Sequence, residues 1–189
     1  IYTLSLHDAL PIFQRQGEFF SAMFRKMFGG ESFFLGKYEH PDGGKLTFAP
    51  STPGHVEHRQ LTNNSLNLMA GCFLACTPGV NIKAKFGGLK ALFSGEGAFL
   101  LEASGNGDLF FNSFGGIVEK EINGDFIVDT GHVVAFEPSL NYKTSGMGNW
   151  KSTMLSGEGL VMTFSGVGKI YLQTRTIDGI ASWLTPRLI

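Results

Sequence analysis

The sequence predicts an all-β domain in which three pseudo-repeats of antiparallel hairpins close into a β-sandwich or barrel with pseudo-threefold symmetry, a short double-stranded β-helix with a short N-terminal helix added. Three observations predict it. A cassette of two apolar residues, a small residue, Gly, Glu and a small residue occurs at Met27–Ser32, Leu92–Gly97 and Met154–Gly159, with its glutamates 65 and 62 positions apart. Ser65–Lys83 superposes without gaps on Asp125–Lys143 at an offset of 60, with Gly, Ala, Pro, Asn and Lys in register. Finally, 26 glycines punctuate short runs of aromatic and β-branched residues, the pattern of many strands joined by tight turns. A unit of about 60 residues exceeds the usual solenoid periods, so a few units are expected to share one core.

The chain of 189 residues, 43% hydrophobic and with 18 Phe, can bury such a core as one domain. Residues 1–12 stand apart: Tyr2–Ile12 reads as a translated sequencing adaptor, with neither the basic start nor the small-residue cleavage site of a signal peptide. Residues 13–189 then form the single domain, its units running over 13–84, 85–146 and 147–176 with a tail at 177–189.

Within the first unit, Phe19, Phe20, Met23, Phe24, Met27 and Phe28 recur at helical spacing, so Phe13–Phe28 is expected to form an amphipathic helix ended by Gly29-Gly30. A hairpin is expected after each cassette. Phe33–Tyr38 should return as Lys45–Ala49, Ala98–Ala103 should turn at Ser104–Asp108 into Leu109–Asn112, and Leu160–Phe164 should turn at Ser165–Gly168 into Lys169–Thr174. Further strand pairs should turn near Gly71 and Gly131. Val80, Ile82, Ala84 and Phe86 alternate with polar residues, as a half-buried strand requires. The tail Ile177–Ile189 is expected to form a short helix over a sheet edge.

Composition excludes several functions. A net charge of −1 gives no global field for nucleic acid or an anionic membrane. No apolar stretch approaches the roughly 20 residues that span a bilayer, so a soluble protein is expected, located in a bacterial cytoplasm. Cys72 and Cys76 read as core residues, because a four-residue offset on a strand separates their Cα atoms too far for a disulfide.

Motifs that resemble sites have simpler readings. Asp129-Thr130-Gly131 matches the triplet of aspartic proteases, but its register counterpart is Met69-Ala70-Gly71, so the second carboxylate is missing and a turn is expected. His55, Glu57 and His58, with His40, offer imidazole and carboxylate without the three or four convergent ligands that a metal needs. Gly95-Glu96-Gly97, Gly105-Asn106-Gly107 and Gly157-Glu158-Gly159 read as turns, since a central carboxylate repels phosphate. Glu31, Glu96 and Glu158 would gather near a threefold axis, where they either accept hydrogen bonds from turn amides or hold a cation. The sequence assigns no catalytic, cofactor-binding or metal-ligating residue.

Leu92–Leu101 (LFSGEGAFLL), Val128–Pro138 (VDTGHVVAFEP) and Lys151–Arg175 together resemble the altered-inheritance-of-mitochondria family, over Phe19 to Arg175. The resemblance implies a fold similar to the tryptophan RNA-binding attenuation protein, a tendency to oligomerise, no defined catalytic residues and, for mitochondrial members, a link to inner-membrane organisation. It also implies that the first unit lacks a strand block where the adaptor-like residues stand, which predicts exposed edges and lower stability. The function expected is a non-enzymatic scaffold or interaction module, homo-oligomeric with a trimer favoured. One alternative is a peripheral membrane organiser acting through the Phe-rich helix with Arg25 and Lys26. The other is RNA binding through Lys83, Lys85, Lys90, Lys143 and Lys151 beside Phe86, Tyr142 and Trp150.

Overall fold

The computed structural model describes residues 12–14, 35–38, 45–86, 99–146 and 160–188. The chain divides into two compact units, Ile1–Ala49 and Pro50–Ile189. In the first, β1 (Ile12–Gln14) pairs antiparallel with β2 (Leu35–Lys37), Phe13 lying opposite Gly36. Phe13 and Gln14 are therefore strand where helix was expected; Ile12 and Phe13 favour extended backbone. The rest of that helix lies outside the described residues. β2 takes its partner from upstream instead of from Lys45–Ala49, which has no regular secondary structure.

The second unit is an eight-stranded antiparallel sheet. Its elements are β3 (Val56–Met69), a 3-10 turn at Ala70–Cys72, β4 (Phe73–Cys76), β5 (Val80–Phe86) and β6 (Phe99–Asn112). The same succession follows in β7 (Ile117–Asp129), a 3-10 turn at Thr130–His132, β8 (Val133–Phe136), β9 (Asn141–Gly146) and β10 (Leu160–Gln173). Strand order is β4-β6-β3-β8-β10-β7, with β5 beside β6 and β9 beside β10. Among the described residues β4, β5, β7 and β9 each pair along one edge only, and the sheet does not close into a barrel.

Two expected hairpins are corrected. Phe99–Asn112 and Leu160–Gln173 are each one continuous strand, with no turn at Ser104–Asp108 or Ser165–Gly168. The glycines there serve a different purpose. β3 runs along one edge of β6, while β5 and β4 share the other, Val80 opposite Gly105 and Cys76 opposite Leu109. The Thr77–Gly79 turn between them presses onto β6: Asn106 N donates to the Gly79 carbonyl at 3.0 Å and Thr77 N to the Asp108 carbonyl at 2.9 Å. A Cβ on Gly79 would sit 1.8 Å from the Asn106 oxygen, and one on Gly105, whose φ is +126°, would sit 2.4 Å from the Gly79 oxygen. Only glycine admits this approach. β10 is arranged likewise, with Lys169 N donating to Glu137 Oε2 at 2.9 Å under the β8–β9 turn.

The turns expected near Gly71 and Gly131 join strands that do not pair with each other. β3 and β4 lie on opposite edges of β6, and β7 and β8 on opposite edges of β10. Each 3-10 turn carries the chain across the end of the long strand instead of closing a hairpin.

The core is apolar, and Leu100, Ile122, Val133, Phe136, Leu140, Met162, Phe164 and Ile170 form one cluster within it. Phe136 meets Phe164 and Tyr142 edge to face, centroids 5.0 and 5.2 Å away, which adds directional attraction to the burial of its ring. The two successions join where Asn67 and Leu68 of β3 pair with Phe136 and Ala135 of β8.

The tail forms α1 (Ile177–Leu184), capped by Thr176 Oγ1, which accepts from Gly179 N at 3.0 Å. A 3-10 turn, Thr185–Arg187, follows. The helix is where the sequence placed it, but none of its residues is buried, so it does not cover an edge.

Three alanine substitutions separate close approach from backbone strain. Gly71→Ala meets nothing within 4 Å and should be nearly neutral in urea unfolding. Gly124→Ala also meets open space but at φ +112°, and should cost about 1–2 kcal/mol. Gly79→Ala faces a backbone oxygen that cannot yield and should exceed both; a Gly79→Ala midpoint equal to that of Gly71→Ala would refute the close passage.

Candidate functional site

Strand alternation gives β3, β7 and β10 each a row of polar residues at one end. Glu57 and Arg59 share a face of β3, Glu119 and Glu121 a face of β7, and Lys169 and Tyr171 a face of β10. The Ser113–Gly116 link brings those ends together. Ser113 N donates to the His55 carbonyl at 3.0 Å, His55 N to the Gly115 carbonyl at 2.9 Å, and Thr174 N to the Gly116 carbonyl at 3.0 Å.

A polar cluster results. The Arg59 guanidinium donates to Glu119 Oε2 and lies 3.3 Å from Glu57 Oε1, and its plane covers the Tyr171 ring at 5.0 Å. Lys169 Nζ donates to Glu119 Oε1 at 2.6 Å. Glu119 therefore receives two cations, Arg59 from β3 and Lys169 from β10. The Lys169 hydrogen bond, helped by the charge of Arg59, outweighs desolvation and holds the Glu119 carboxyl below its ordinary range. Burial pushes the Tyr171 hydroxyl up. The cluster joins β3, β7 and β10 through Arg59 and Lys169, while Glu121, 4.0 Å from Lys169, stays largely exposed.

The second feature is an open cleft of about 580 Å³ between the His132 turn and α1, bounded by Thr174, Arg175, Ile180 and Trp183. Its floor is fixed: Gln173 Nε2 donates to the Gly131 carbonyl at 2.7 Å, and His132 Nδ1 lies 2.7 Å from the Gln173 carbonyl.

The residues singled out from sequence are dispersed. Asp129 Oδ1 accepts from Gly131 N at 2.8 Å and caps the 3-10 turn. His55 lies 3.3 Å from Glu57, and His58 lies 2.8 Å from Asp108 and stacks on Phe110; adjacent to opposite faces of β3, the two imidazoles do not converge. Among the described residues no group of three or more His, Cys, Asp or Glu is placed to hold a metal. Cys72 and Cys76 are free thiols, and burial pushes Cys72 up to about 12. Of the lysine and aromatic patch, Lys85 pairs with Glu102 at 3.2 Å and Tyr142 is packed against Phe136 and Phe164. His40, Glu31, Glu96, Glu158, Lys90, Trp150 and Lys151 lie outside the described residues.

Sequence reasoning missed the Arg59–Glu119–Lys169 cluster. Its members are remote in the chain and read singly as exposed strand charges.

Because the folded Glu119 carboxyl titrates below its unfolded value, its contribution is complete at neutral pH and is lost as pH falls through the carboxylate range. Glu119→Gln is expected to cost about 1 kcal/mol at pH 7, the scale of a part-exposed pair. Thermal melts should show the gap to wild type closing below about pH 4.5. A gap unchanged at pH 3 would mean that Glu119 acts through packing alone.

Comparison with known proteins finds relatives of the chain. The chain is 34% identical over 171 residues to an uncharacterized protein of Streptococcus pyogenes serotype M6, a match covering 89% of this chain and 69% of the relative. A crystal structure of a Streptococcus pyogenes protein superposes with a TM-score of 0.75 at 29% identity, over 97% of this chain and 88% of the other. The family model described as mitochondrial biogenesis AIM24 matches residues 4–175. The chain therefore belongs to the mitochondrial biogenesis AIM24 family.

Proposed function

We propose that this protein is a non-enzymatic, oligomeric β-domain that serves as a scaffold or interaction module, with a trimer as the favoured assembly. What supports the reading most directly is the pair of sheet ends. Among the described residues, β4 and β7 each bond to a neighbour on one edge only. Such edges template the addition of further strands. The reading extends to the fold: the same strand succession occurs in β3–β6 and β7–β10, and a trimer of chains joined edge to edge has threefold symmetry. A symmetric assembly then presents each surface several times and gains avidity from weak contacts.

A second reading, association with a membrane surface, is favoured by one observation. Ile177, Trp183 and Leu188 are 65%, 59% and 75% exposed, and the Arg187 guanidinium lies over the Trp183 ring at 4.3 Å. An aromatic side chain and a cation at the rim of an apolar surface suit a lipid interface. No helix among the described residues is long and apolar enough to cross a membrane.

Light scattering on the gel-filtration peak is expected to return about three times the 20.5 kDa chain mass. A strict monomer at micromolar concentration overturns the scaffold reading. Co-sedimentation with anionic phospholipid vesicles should fall at least fivefold on Trp183→Ala combined with Leu188→Asp; equal recovery of variant and wild type removes α1 as a membrane contact.

A further inference from the structure

The seam inside the chain shows what kind of strand suits an edge left unpaired among the described residues. β3 meets β8 through Asn67 opposite Phe136 and Leu68 opposite Ala135. The same stations exist on the terminal strands. Cys76 of β4 lies opposite Leu109 of β6 as Phe136 of β8 lies opposite Ile170 of β10, and both strands leave a 3-10 turn. Val128 of β7 lies opposite Met162 of β10 as Leu68 of β3 lies opposite Leu101 of β6. β4 is thus the counterpart of β8, and β7 the counterpart of β3.

Burial separates the used stations from the unused ones. At the seam Asn67 is 6% exposed, and Leu68, Ala135 and Phe136 are fully buried. On the terminal strands Ile127, the counterpart of Asn67, is 65% exposed, while Val128, Ala75 and Cys76 are only half-buried. An isoleucine facing water where its counterpart is enclosed marks a contact that is missing a partner. Every copy of the chain carries both halves of that contact, on edges that cannot bond to themselves in the seam's register.

We infer that β4 of one copy pairs antiparallel with β7 of a second copy, with Cys76 opposite Ile127 and Ala75 opposite Val128. The inference rests on the oligomeric reading and names its interface. The contact is heterologous, head to tail, so successive copies close into a ring when the rotation allows. No covalent step is involved.

The native thiol of Cys76 makes the register testable. Neighbouring stations of an antiparallel pair alternate between hydrogen-bonded and non-hydrogen-bonded geometry, and side chains approach more closely at the latter, so two variants are needed. The first is Ile127→Cys with Cys72→Ser, relying on native Cys76. The second is Ala75→Cys with Val128→Cys, Cys72→Ser and Cys76→Ser. After mild oxidation of the full chain, at least one variant is expected to give a thiol-reducible ladder of dimers and higher species on a denaturing gel. In the first variant the ladder should vanish on adding Cys76→Ser. If light scattering shows an oligomer but neither variant forms a ladder, the interface lies elsewhere and this inference fails while the scaffold reading stands. If both proteins are monomeric, both fail. A disulfide formed within one chain, seen as a faster-running monomer, also overturns the inference, because the two edges would then meet in the same molecule.

Discussion

The second unit depends on how closely backbone passes backbone at Gly79 and Gly105. Two short strands, β5 and β4, occupy one edge of a single long strand, and the turn between them must lie against that strand with no side chain intervening. Asn106 N and the Gly79 carbonyl meet at 3.0 Å because neither glycine carries a Cβ. The contact makes β6 the axis of four strands: β3 is bound along its whole opposite edge, and β4 and β5 are held end to end on the other. β10 organises β7, β8 and β9 in the same way. Steric exclusion is the governing effect here, since a hydrogen bond contributes about 1 kcal/mol net whereas a Cβ 1.8 Å from an oxygen forbids the arrangement.

This constraint also shows which features could be read from the sequence. Strand alternation and the mostly antiparallel β class follow from local pattern, because side-chain period and composition act within a few residues. The purpose of Gly105, Gly107, Gly166 and Gly168 does not. Positive φ suits both a hairpin turn and a backbone kink under a crossing strand, and the residue that decides between them at Gly105 is Gly79, far off in the chain. The polar cluster was hidden for a similar reason. Arg59 and Glu119 read as ordinary exposed strand charges until the Ser113–Gly116 link brings the start of β3 beside the start of β7.

Within each succession the long strands pair over a dozen or more residues, yet only two residue pairs join β3 to β8. Backbone hydrogen bonds therefore cannot fix the mutual orientation of the two halves unaided. Apolar packing across the seam supplies what is missing: Leu100 of β6 is buried in the cluster that holds Phe136, Phe164 and Ile170, with Met69 of β3 packed against it, and burying a side chain as large as Phe136 is worth about 1.5–3 kcal/mol. At the other end of β3 the Arg59–Glu119–Lys169 cluster spans β3, β7 and β10. Its pairs are partly solvated and individually worth about 1 kcal/mol or less, so they orient the halves more than they stabilise them.

The same comparison decides what matters at an open sheet end. Unpaired backbone groups on an exposed edge are satisfied by water, so the edge itself costs little. A side chain that stays wet where its counterpart is enclosed forgoes the burial term, and for Ile127 that term approaches the scale of Phe136. Val118 and Val167, also exposed on β7 and β10, sit where neither β3 nor β6 offers a buried counterpart: Arg59 minus one is His58, and Val167 answers Asn106. Exposure at those two positions is ordinary surface. At Ile127 the repeated strand order supplies an internal standard, since its counterpart Asn67 is 6% exposed and Ile127 is 65% exposed.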